Sequence, residues 1–263
     1  MQTFADISVD QILLLLIAFV RMATMIVVFP VIGSRATPTS VKAGLAVFLT
    51  VAIFPTLPPS TVVIPTGVFS FAILVAKEVM VGLLLGFIGS ILFEIVQMGS
   101  KLIDMQMGFA MAETVDPLTD QPVTPIAQLT SIIFTLIFLL MGGHHMIIKV
   151  AARVFEIIPI GAVYYREGPI SLVLMRATGD LFSLGFRFAA PVLVALIIVT
   201  VALGIIAKTV PQLNIFMVGM PLQIGLGFFM ITVALPSMIV FFEYLMERMI
   251  NDMNSITLLL RPA

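Results

Sequence analysis

The chain has 263 residues, of which 60% are hydrophobic and only 10% are charged, and its mean hydropathy is +1.21. A soluble domain carries about 25% charged residues, so this composition indicates an integral membrane protein. The net charge of −1 argues against nucleic acid as a partner, and the absence of cysteine excludes disulfides, cysteine-ligated metal sites and thiol catalysis.

Seven apolar segments follow in chain order, and a helix needs about 20 such residues to cross a bilayer. The first is expected to belong to the mature protein from Ile12 onward, because residues 1–10 carry acids where a secretory signal would carry Lys or Arg. Pro221 and Pro236 are expected to break the last segment. The segments are 12–32, 44–57, 68–98, 126–142, 147–160, 181–207 and 213–242.

Helix is the only spanning structure that suits these segments. Lipid cannot satisfy backbone N–H and C=O groups, and the segments lack the alternation of polar and apolar residues that outer-membrane strands show. We therefore predict an all-α integral membrane protein of about six to eight helices, several of them broken or tilted.

The basic residues do not fit a simple series of helices that each cross the membrane. Arg35, Lys42 and Lys208 indicate loops on the inside, yet threading six helices between them places residues 143–180 outside. That region contains basic residues that the positive-inside rule would keep inside, namely Lys149, Arg153, Arg166 and Arg176. Either one span is miscounted or the helices do not cross the bilayer one by one.

Ionisable residues also lie within the apolar segments, at Arg21, Lys77, Glu78, Glu94 and Arg187. A charge at the bilayer centre costs at least about 2.5 to 3.5 kcal/mol, so such groups should face protein or a water-filled space. We expect other protein chains to cover much of the apolar surface. For Lys77 and Glu78 the alternative is that they lie near a helix end and reach the interface by snorkelling.

Three stretches, in a fixed order, carry a resemblance to a known family. In RMATMIVVFPVIGSRATPTSVKAGLA (21–46), an arginine is followed by spaced prolines, a glycine and a lysine. The centre reads GSKLIDMQMGFAMAETVDP (99–117), and VPQLNIFMVGMPLQIGLG (210–227) joins two apolar helices. Together, over nearly the whole chain, they resemble the FliR family of flagellar biosynthesis proteins, which has relatives in the injectisome of virulence systems.

The resemblance implies a function without catalysis or a cofactor. FliR-like proteins are core subunits of the flagellar type III protein export gate in the bacterial inner membrane, within the flagellar basal body. With FliP-like and FliQ-like subunits they form the channel that passes unfolded flagellar proteins. An FlhB-like subunit, an FlhA-like export component and membrane lipid are the other expected partners. Because the sequence has no Walker-type motif, energy is expected to come from an ATPase or the proton gradient.

The resemblance also implies the arrangement of the helices. In the family, helical hairpins wind into a spiral around the channel and are partly lifted out of the membrane plane. Residues 1–180 would correspond to a FliP-like portion and residues 181–263 to a FliQ-like hairpin and tail. The hairpin would span 181–244 and turn at 208–213. Such a spiral would explain why the basic residues do not fit a series of single crossings.

The central stretch is expected to form a loop. Gly99, Asp104 and Gly108 weaken a helix, and the Asp-Pro pair that follows ends it. Non-helical backbone at membrane depth must be buried in protein or line a cavity. In the family the matching segment plugs the channel, so the resemblance implies a plug at 106–121; the alternative is a re-entrant loop packed in the core. The candidate plug residues are Gln106, Met107, Gly108, Phe109, Met111, Asp116 and Pro117.

Small residues at helical spacing indicate close helix packing. Gly82, Gly86 and Gly89 share one helix face with the small-xxx-small pattern of membrane helix contacts. The full set of candidate structural or subunit-packing residues is Arg21, Pro30, Gly33, Pro38, Lys42, Gly82, Gly86, Gly89, Asn214, Gly219 and Pro221.

Three other functions compete with the flagellar export gate. An injectisome export gate would use a chain of the same family. A proton-coupled secondary transporter, with Glu94, Asp104, Glu113 and Asp180 as a relay, suits broken helices, but the sequence lacks the paired half-length segments of such folds. A purely structural scaffold of the basal body would differ only in whether the central loop faces a channel.

The adjacent histidines His144 and His145 are not expected to bind a metal. Residues one apart cannot lie on one helix face, and the sequence has no HExxH pattern. We therefore predict no metal site and no catalytic residue.

Overall fold

The computed structural model describes residues 9–33, 37–56, 65, 67–109, 124–162, 169–210, 212 and 215–261. Within these ranges the backbone is helical apart from short turns and contains no strand, which confirms the predicted all-α class. The helices are α1 (Val9–Val28), α2 (Pro30–Gly33), α3 (Thr39–Ile53, continued by a 3-10 turn at Phe54–Thr56), α4 (Val68–Gln106), α5 (Pro125–Leu140), α6 (Gly143–Ile157), α7 (Pro169–Thr209) and α8 (Ile215–Leu259).

Four of the described helices, α1, α4, α7 and α8, are long and apolar enough to cross a membrane, and the count rises to five if α5 and α6 form one broken span. The helices α4, α7 and α8 contain 39, 41 and 45 residues. At a rise of about 1.5 Å per residue, each is roughly 60 Å long or longer, about twice the thickness of a hydrocarbon core. The protein is an integral membrane protein whose longest helices exceed the length that one crossing requires.

Each of the long helices extends beyond the apolar segment that predicted it. The helix α4 continues beyond residue 98 to Gln106, and α7 begins at Pro169 rather than at 181. Proline suits a first helical turn because it lacks an N–H that would have no partner there. Pro221 and Pro236 lie inside α8, so the prediction that they break this helix is wrong. Proline is tolerated in long apolar helices because neighbouring groups and local adjustments satisfy the freed carbonyls.

A short turn at Met141 and Gly142 separates α5 from α6. Gly142 has φ = +73°, in the left-handed region that glycine enters without steric cost. A left-handed glycine is a common end to a helix, and here it allows a second helix to begin at once.

The chain forms two compact units. The first contains Met1–Ile91, Gly142–Arg176 and Glu247–Ala263, and the second contains Leu92–Met141 and Ala177–Met246. The helices α4, α7 and α8 each contribute residues to both units. In the first unit α1 packs against α3, and Ile17, Ala18 and Met22 of α1 are buried within the chain.

Aromatic side chains from four helices form the core of the second unit. The ring centroids of Phe134 on α5 and Phe188 on α7 are 5.2 Å apart, and those of Phe134 and Phe242 on α8 are 5.0 Å apart. Phe93 on α4 makes an edge contact with Phe138 at 5.3 Å. Such tilted and edge contacts are the preferred geometry of aromatic pairs. They hold the last part of α4 among α5, α7 and α8, where the candidate loop begins.

Candidate functional site

The helix α4 continues through two residues that were predicted to weaken it. Gly99 lies in close contact with α7, where an added Cβ would approach the Gly185 carbonyl oxygen to 2.6 Å. The glycine therefore allows two backbones to approach each other and does not end the helix. Asp104 also lies within the helix, which ends two residues later at Gln106.

Gly108 follows the end of α4 and has φ = +91°. Its N–H donates to the Met105 carbonyl at 3.2 Å, so the last turn tightens before the chain leaves the helix. Of the candidate plug residues, Gln106, Met107, Gly108 and Phe109 are described, whereas Met111, Asp116 and Pro117 lie outside the described residues, as do all of 110–123.

Met107 is completely buried within the chain. It lies against Gly227 of α8, where an added Cβ would meet the Met107 Sδ at 2.5 Å and the Cε at 2.6 Å. The absence of a side chain at Gly227 thus makes room for Met107. Since the thioether already contacts this chain on all sides, Met107 anchors the start of the candidate loop and has no free surface for a channel.

Met105, which was not among the candidate residues, is the exposed methionine at the end of α4, with 64% of its surface accessible. It continues an exposed face of the helix through Glu94 and Lys101. These residues are seven and four positions apart, which is the spacing of one helix face. Helical periodicity in the sequence could have identified Met105 if α4 had been predicted to extend this far.

A polar cluster joins Gln106 to the two helices of the predicted hairpin. The Thr200 hydroxyl oxygen of α7 accepts hydrogen bonds from Gln106 Nε2 and from Gln223 Nε2 of α8, each at 3.0 Å, and its proton is donated to the Leu196 carbonyl. Thr200 and Gln223 are nearly equidistant from the turn between α7 and α8. This pairing fits an antiparallel hairpin that turns close to the predicted 208–213.

Asp104 is buried and accepts two backbone hydrogen bonds from the first turn of α5. The Ile126 N–H donates to Oδ1 and the Ala127 N–H donates to Oδ2, both at 2.9 Å. Thr124, the residue directly before α5, makes no side-chain hydrogen bond that caps the helix. A carboxylate from the end of α4 therefore replaces the usual local N-cap. The sequence offered no signal for this contact.

Arg21 and Glu78 form a buried ion pair in the first unit. The Arg21 Nε lies 2.5 Å from Glu78 Oε2, and Nη1 donates to the Ile158 carbonyl at 2.9 Å. The other Glu78 oxygen accepts the Gly161 N–H at 2.8 Å. The guanidinium carbon also lies 4.4 Å from the centre of the Phe155 ring, a cation–π contact.

This pair accounts for two of the charges inside the apolar segments. Arg21 and Glu78 are 2% and 0% exposed, so the snorkelling alternative is wrong for Glu78. Lys77, Glu94 and Arg187 are exposed on the surface of the chain.

The glycine face of α4 lies against α1. An added Cβ at Gly86 would approach the Met25 carbonyl oxygen to 2.9 Å, and one at Gly89 would approach the Phe29 ring to 2.7 Å. At Gly82 it would overlap Thr24. The three glycines therefore let the two helices approach closely within the first unit.

The remaining candidate packing residues lie at helix boundaries or on α8. Pro30 begins α2 and Pro38 precedes α3, while the Gly33 carbonyl accepts a hydrogen bond from Lys42 Nζ at 2.9 Å. On α8, Gly219 is buried and Pro221 is exposed. Asn214 lies outside the described residues.

His144 and His145 lie in the first turn of α6, with ring centroids 4.0 Å apart. Among the described residues there is no group of three His, Cys, Asp or Glu side chains that could hold a metal ion.

Comparison with known proteins places the chain in a family. Residues 12–249 match the model of the bacterial export proteins, family 1. The chain is 31% identical over 245 residues to the flagellar biosynthetic protein FliR of Bacillus subtilis (strain 168), covering 92% of this chain and 93% of that protein. It is 33% identical over 239 residues to FliR of Pectobacterium carotovorum subsp. carotovorum, covering 89% and 88%.

A more distant relative comes from a different apparatus. The secretion system apparatus protein SsaT of Salmonella typhimurium is 23% identical over 229 residues, covering 86% of this chain and 88% of that protein. The resemblance predicted from three motifs is thus confirmed over nearly the full length. The chain belongs to family 1 of the bacterial export proteins, the family of the flagellar biosynthetic protein FliR.

Proposed function

We propose that the protein is a core subunit of the flagellar type III protein export gate. With FliP-like and FliQ-like subunits it would form the channel that passes unfolded flagellar proteins across the bacterial inner membrane, in the flagellar basal body. The observation that carries the proposal is the family match over residues 12–249, together with identities of 31% and 33% to flagellar biosynthetic proteins. The role requires no catalysis by this chain and no cofactor.

The distribution of exposed charge supports a subunit that is surrounded by other proteins. Glu94 on α4 and Arg187 on α7 are exposed on helices of membrane-spanning length. Exposure of either to lipid would cost at least about 2.5 to 3.5 kcal/mol near the bilayer centre. FliP-like, FliQ-like and FlhB-like subunits would cover such groups, and an FlhA-like component would act with the assembled gate.

The two-part organisation of the chain belongs to the same proposal. Residues 1–180 would take the place of a FliP-like subunit, and 181–263 would supply a FliQ-like hairpin and tail. The hydrogen bond between Thr200 and Gln223 across the turn of α7 and α8 supports the hairpin.

The channel plug is proposed for residues 106–121, of which 106–109 are described. Support comes from the end of α4 at Gln106 and the left-handed Gly108 that directs the chain out of the helix. Within this stretch, Phe109 would contribute to the seal, and Met107 would anchor it. Deleting 108–114 should raise ion conductance across a bilayer that holds the purified complex, while subunit association persists. A deletion variant that assembles and remains tight to ions would contradict the plug.

Two rival functions are less well supported. The injectisome relative SsaT is 23% identical, below the identity of either flagellar relative given above. In a proton-coupled transporter Asp104 would serve as a relay group, but both of its oxygens accept backbone N–H bonds that hold α5.

Deletion of the gene from its own bacterium separates the three functions. The expected result is loss of flagellar filaments and of exported flagellar proteins, with recovery when the gene is restored on a plasmid. Loss of effector secretion with intact flagella would instead favour the injectisome. If flagella and secretion both persist while proton-coupled uptake of a solute is lost, the transporter is correct.

A further inference from the structure

The last turns of α4 contact both α8 and the start of α5. Met107, just before the 110–123 segment, is buried against Gly227 of α8. The Asp104 carboxylate accepts hydrogen bonds from the N–H groups of Ile126 and Ala127, just after that segment, each at 2.9 Å. We refer to the contact of Asp104 with Ile126 and Ala127 as the loop-base contact.

A second pair of side chains sets the register of the same two helices. The hydroxyl oxygens of Ser100 on α4 and Thr130 on α5 lie 2.7 Å apart, and both residues are buried. From this pair, one step of four residues forward along α4 reaches Asp104, and one of four residues back along α5 reaches Ile126. The helices therefore run antiparallel, and the loop-base contact lies one turn nearer to the end of α4 and the start of α5.

In the loop-base contact, the Asp104 side chain accepts both hydrogen bonds from the backbone N–H groups at the start of α5. The first N–H groups of a helix lack partners within the helix, and an apolar environment offers them no water. Thr124 does not cap them, so Asp104 supplies their acceptor from 22 positions earlier in the chain. A carboxylate at a helix N-terminus also interacts favourably with the helix dipole.

We propose that Asp104 is a positioning residue that holds the two ends of the connection between α4 and α5 at one place. The geometry of the ends carries this proposal, and its consequence for ion sealing rests on the proposed plug. If the connection seals a channel, its two ends must keep a constant separation while the seal is closed. Asp104 meets this requirement because a single carboxylate spans α4 and two successive residues of α5.

The separation of the ends can be measured directly, because the chain has no native cysteine. Met105 and Leu129 are exposed on either side of the loop-base contact, and Met105→Cys with Leu129→Cys would carry a pair of nitroxide labels. The labelled chain would be purified in complex with FliP-like and FliQ-like subunits that lack cysteine. Dipolar broadening in the electron paramagnetic resonance spectrum reports the distance between the labels.

Asp104→Ala is expected to reduce the dipolar broadening at this pair. Asp104→Asn, which keeps the shape of the side chain and one acceptor oxygen, is expected to reduce the dipolar broadening by an intermediate amount. A control pair at the exposed positions Val201 and Leu222, across the hairpin of α7 and α8, should be unchanged by either substitution. That control distinguishes a local effect on the loop ends from a general loosening of the second unit.

Ion conductance of the same complexes separates the positioning role from its consequence for ion sealing, and the 108–114 deletion tests the plug itself. Reduced broadening with raised conductance supports both the positioning role and its consequence for sealing. Reduced broadening with unchanged conductance supports the positioning role of Asp104 and overturns its consequence for sealing. Unchanged broadening overturns the positioning role, whatever the conductance. If Asp104→Ala does not assemble, the spectrum of Asp104→Asn is the test. An unchanged spectrum in that variant overturns the proposal, and so does an equal change at both label pairs.

Discussion

Arg21 and Glu78 illustrate how a charged residue is accommodated in an apolar helix. Both side chains are buried, and each also bonds to the backbone near α6, at Ile158 and Gly161. A buried ion pair is not in itself a strong source of stability, because desolvation offsets most of the attraction. Removing one partner is costly, however, because the other charge then remains buried without compensation.

Arg21→Leu is expected to destabilise the first unit by about 3 to 5 kcal/mol, because Glu78 loses its counter-charge. The yield and thermal midpoint of the assembled complex would both fall. Replacing both residues, in Arg21→Leu with Glu78→Leu, should recover most of the loss. Lys42→Leu is the control, since Lys42 is half-buried and bonds to one neutral carbonyl. Equal, mild effects of Arg21→Leu and Lys42→Leu would contradict the role of the ion pair.

Met105 and Met107 are two residues apart, but they contact different surroundings. Met107→Ala is expected to cost about 2 to 5 kcal/mol, because it empties a fully enclosed site beside Gly227. Met105→Ala should leave the stability of the chain nearly unchanged, since that side chain is largely exposed. Thermal midpoints of the two purified variants provide the comparison. A larger loss for Met105→Ala would show that a partner subunit buries this residue more tightly than the chain buries Met107.

At the scale of the helices, glycines determine which pairs approach closely. Gly82, Gly86 and Gly89 allow α4 to contact α1, and Gly99 allows the same helix to contact α7. In apolar surroundings helices associate through close packing and hydrogen bonds, because lipid is as apolar as the side chains. Glycine contacts thus pack the first part of α4 against α1 and its last part against α7.

Gly86→Ala is expected to destabilise the contact of α1 with α4 by about 1 to 3 kcal/mol, because the added methyl group meets backbone and a β-branched residue. Gly44→Ala on α3 is the matched control, since an added Cβ there meets nothing within 4 Å. The control should be neutral or stabilise by about 0.5 to 1 kcal/mol, owing to the higher helix propensity of alanine. The argument fails if both variants of the complex have the same thermal midpoint.

At the scale of the whole molecule, the apolar helices are unequally covered by the chain itself. The chain itself buries 56% of the most apolar 18-residue stretch of α4, against 17% of that of α7 and 22% of that of α8. The hairpin of α7 and α8 therefore presents most of its surface to lipid or to other subunits. Arg187 lies exposed on this hairpin, which favours protein as the covering for at least one face.

The chain is accordingly expected to resist proteolysis only when it is assembled with its partner subunits. Expressed alone in membranes, it should be cleaved rapidly by an added protease, and co-expression with FliP-like and FliQ-like subunits should slow cleavage. The physical reason is that exposed charges and apolar faces become buried on assembly. Co-expression with an unrelated membrane protein is the control. A monodisperse, protease-resistant monomer in detergent would contradict this expectation.

Composition and local pattern by themselves determined the class of this protein. Apolar segments predicted helices in a membrane, and three motifs in register predicted the family, because both signals are local or sequential. The end of α4 near Gly108 was predictable for the same reason, because glycine adopts the positive φ of this turn without steric cost. The lengths of α4, α7 and α8 were underestimated, because helices continue into polar sequence when neighbouring helices pack against it.

Only the tertiary structure decided which residues meet. Arg21 pairs with Glu78 from 57 positions away, and Asp104 bonds to Ile126 across the candidate loop. Met107 proved to be buried against Gly227 of α8, a residue 120 positions later in the chain. Propensity and hydrophobicity describe what a side chain requires, but its partner depends on how distant helices are brought together. For buried charges, helix caps and methionines in this chain, that arrangement is set by packing of distant helices within each unit and not by the neighbouring sequence.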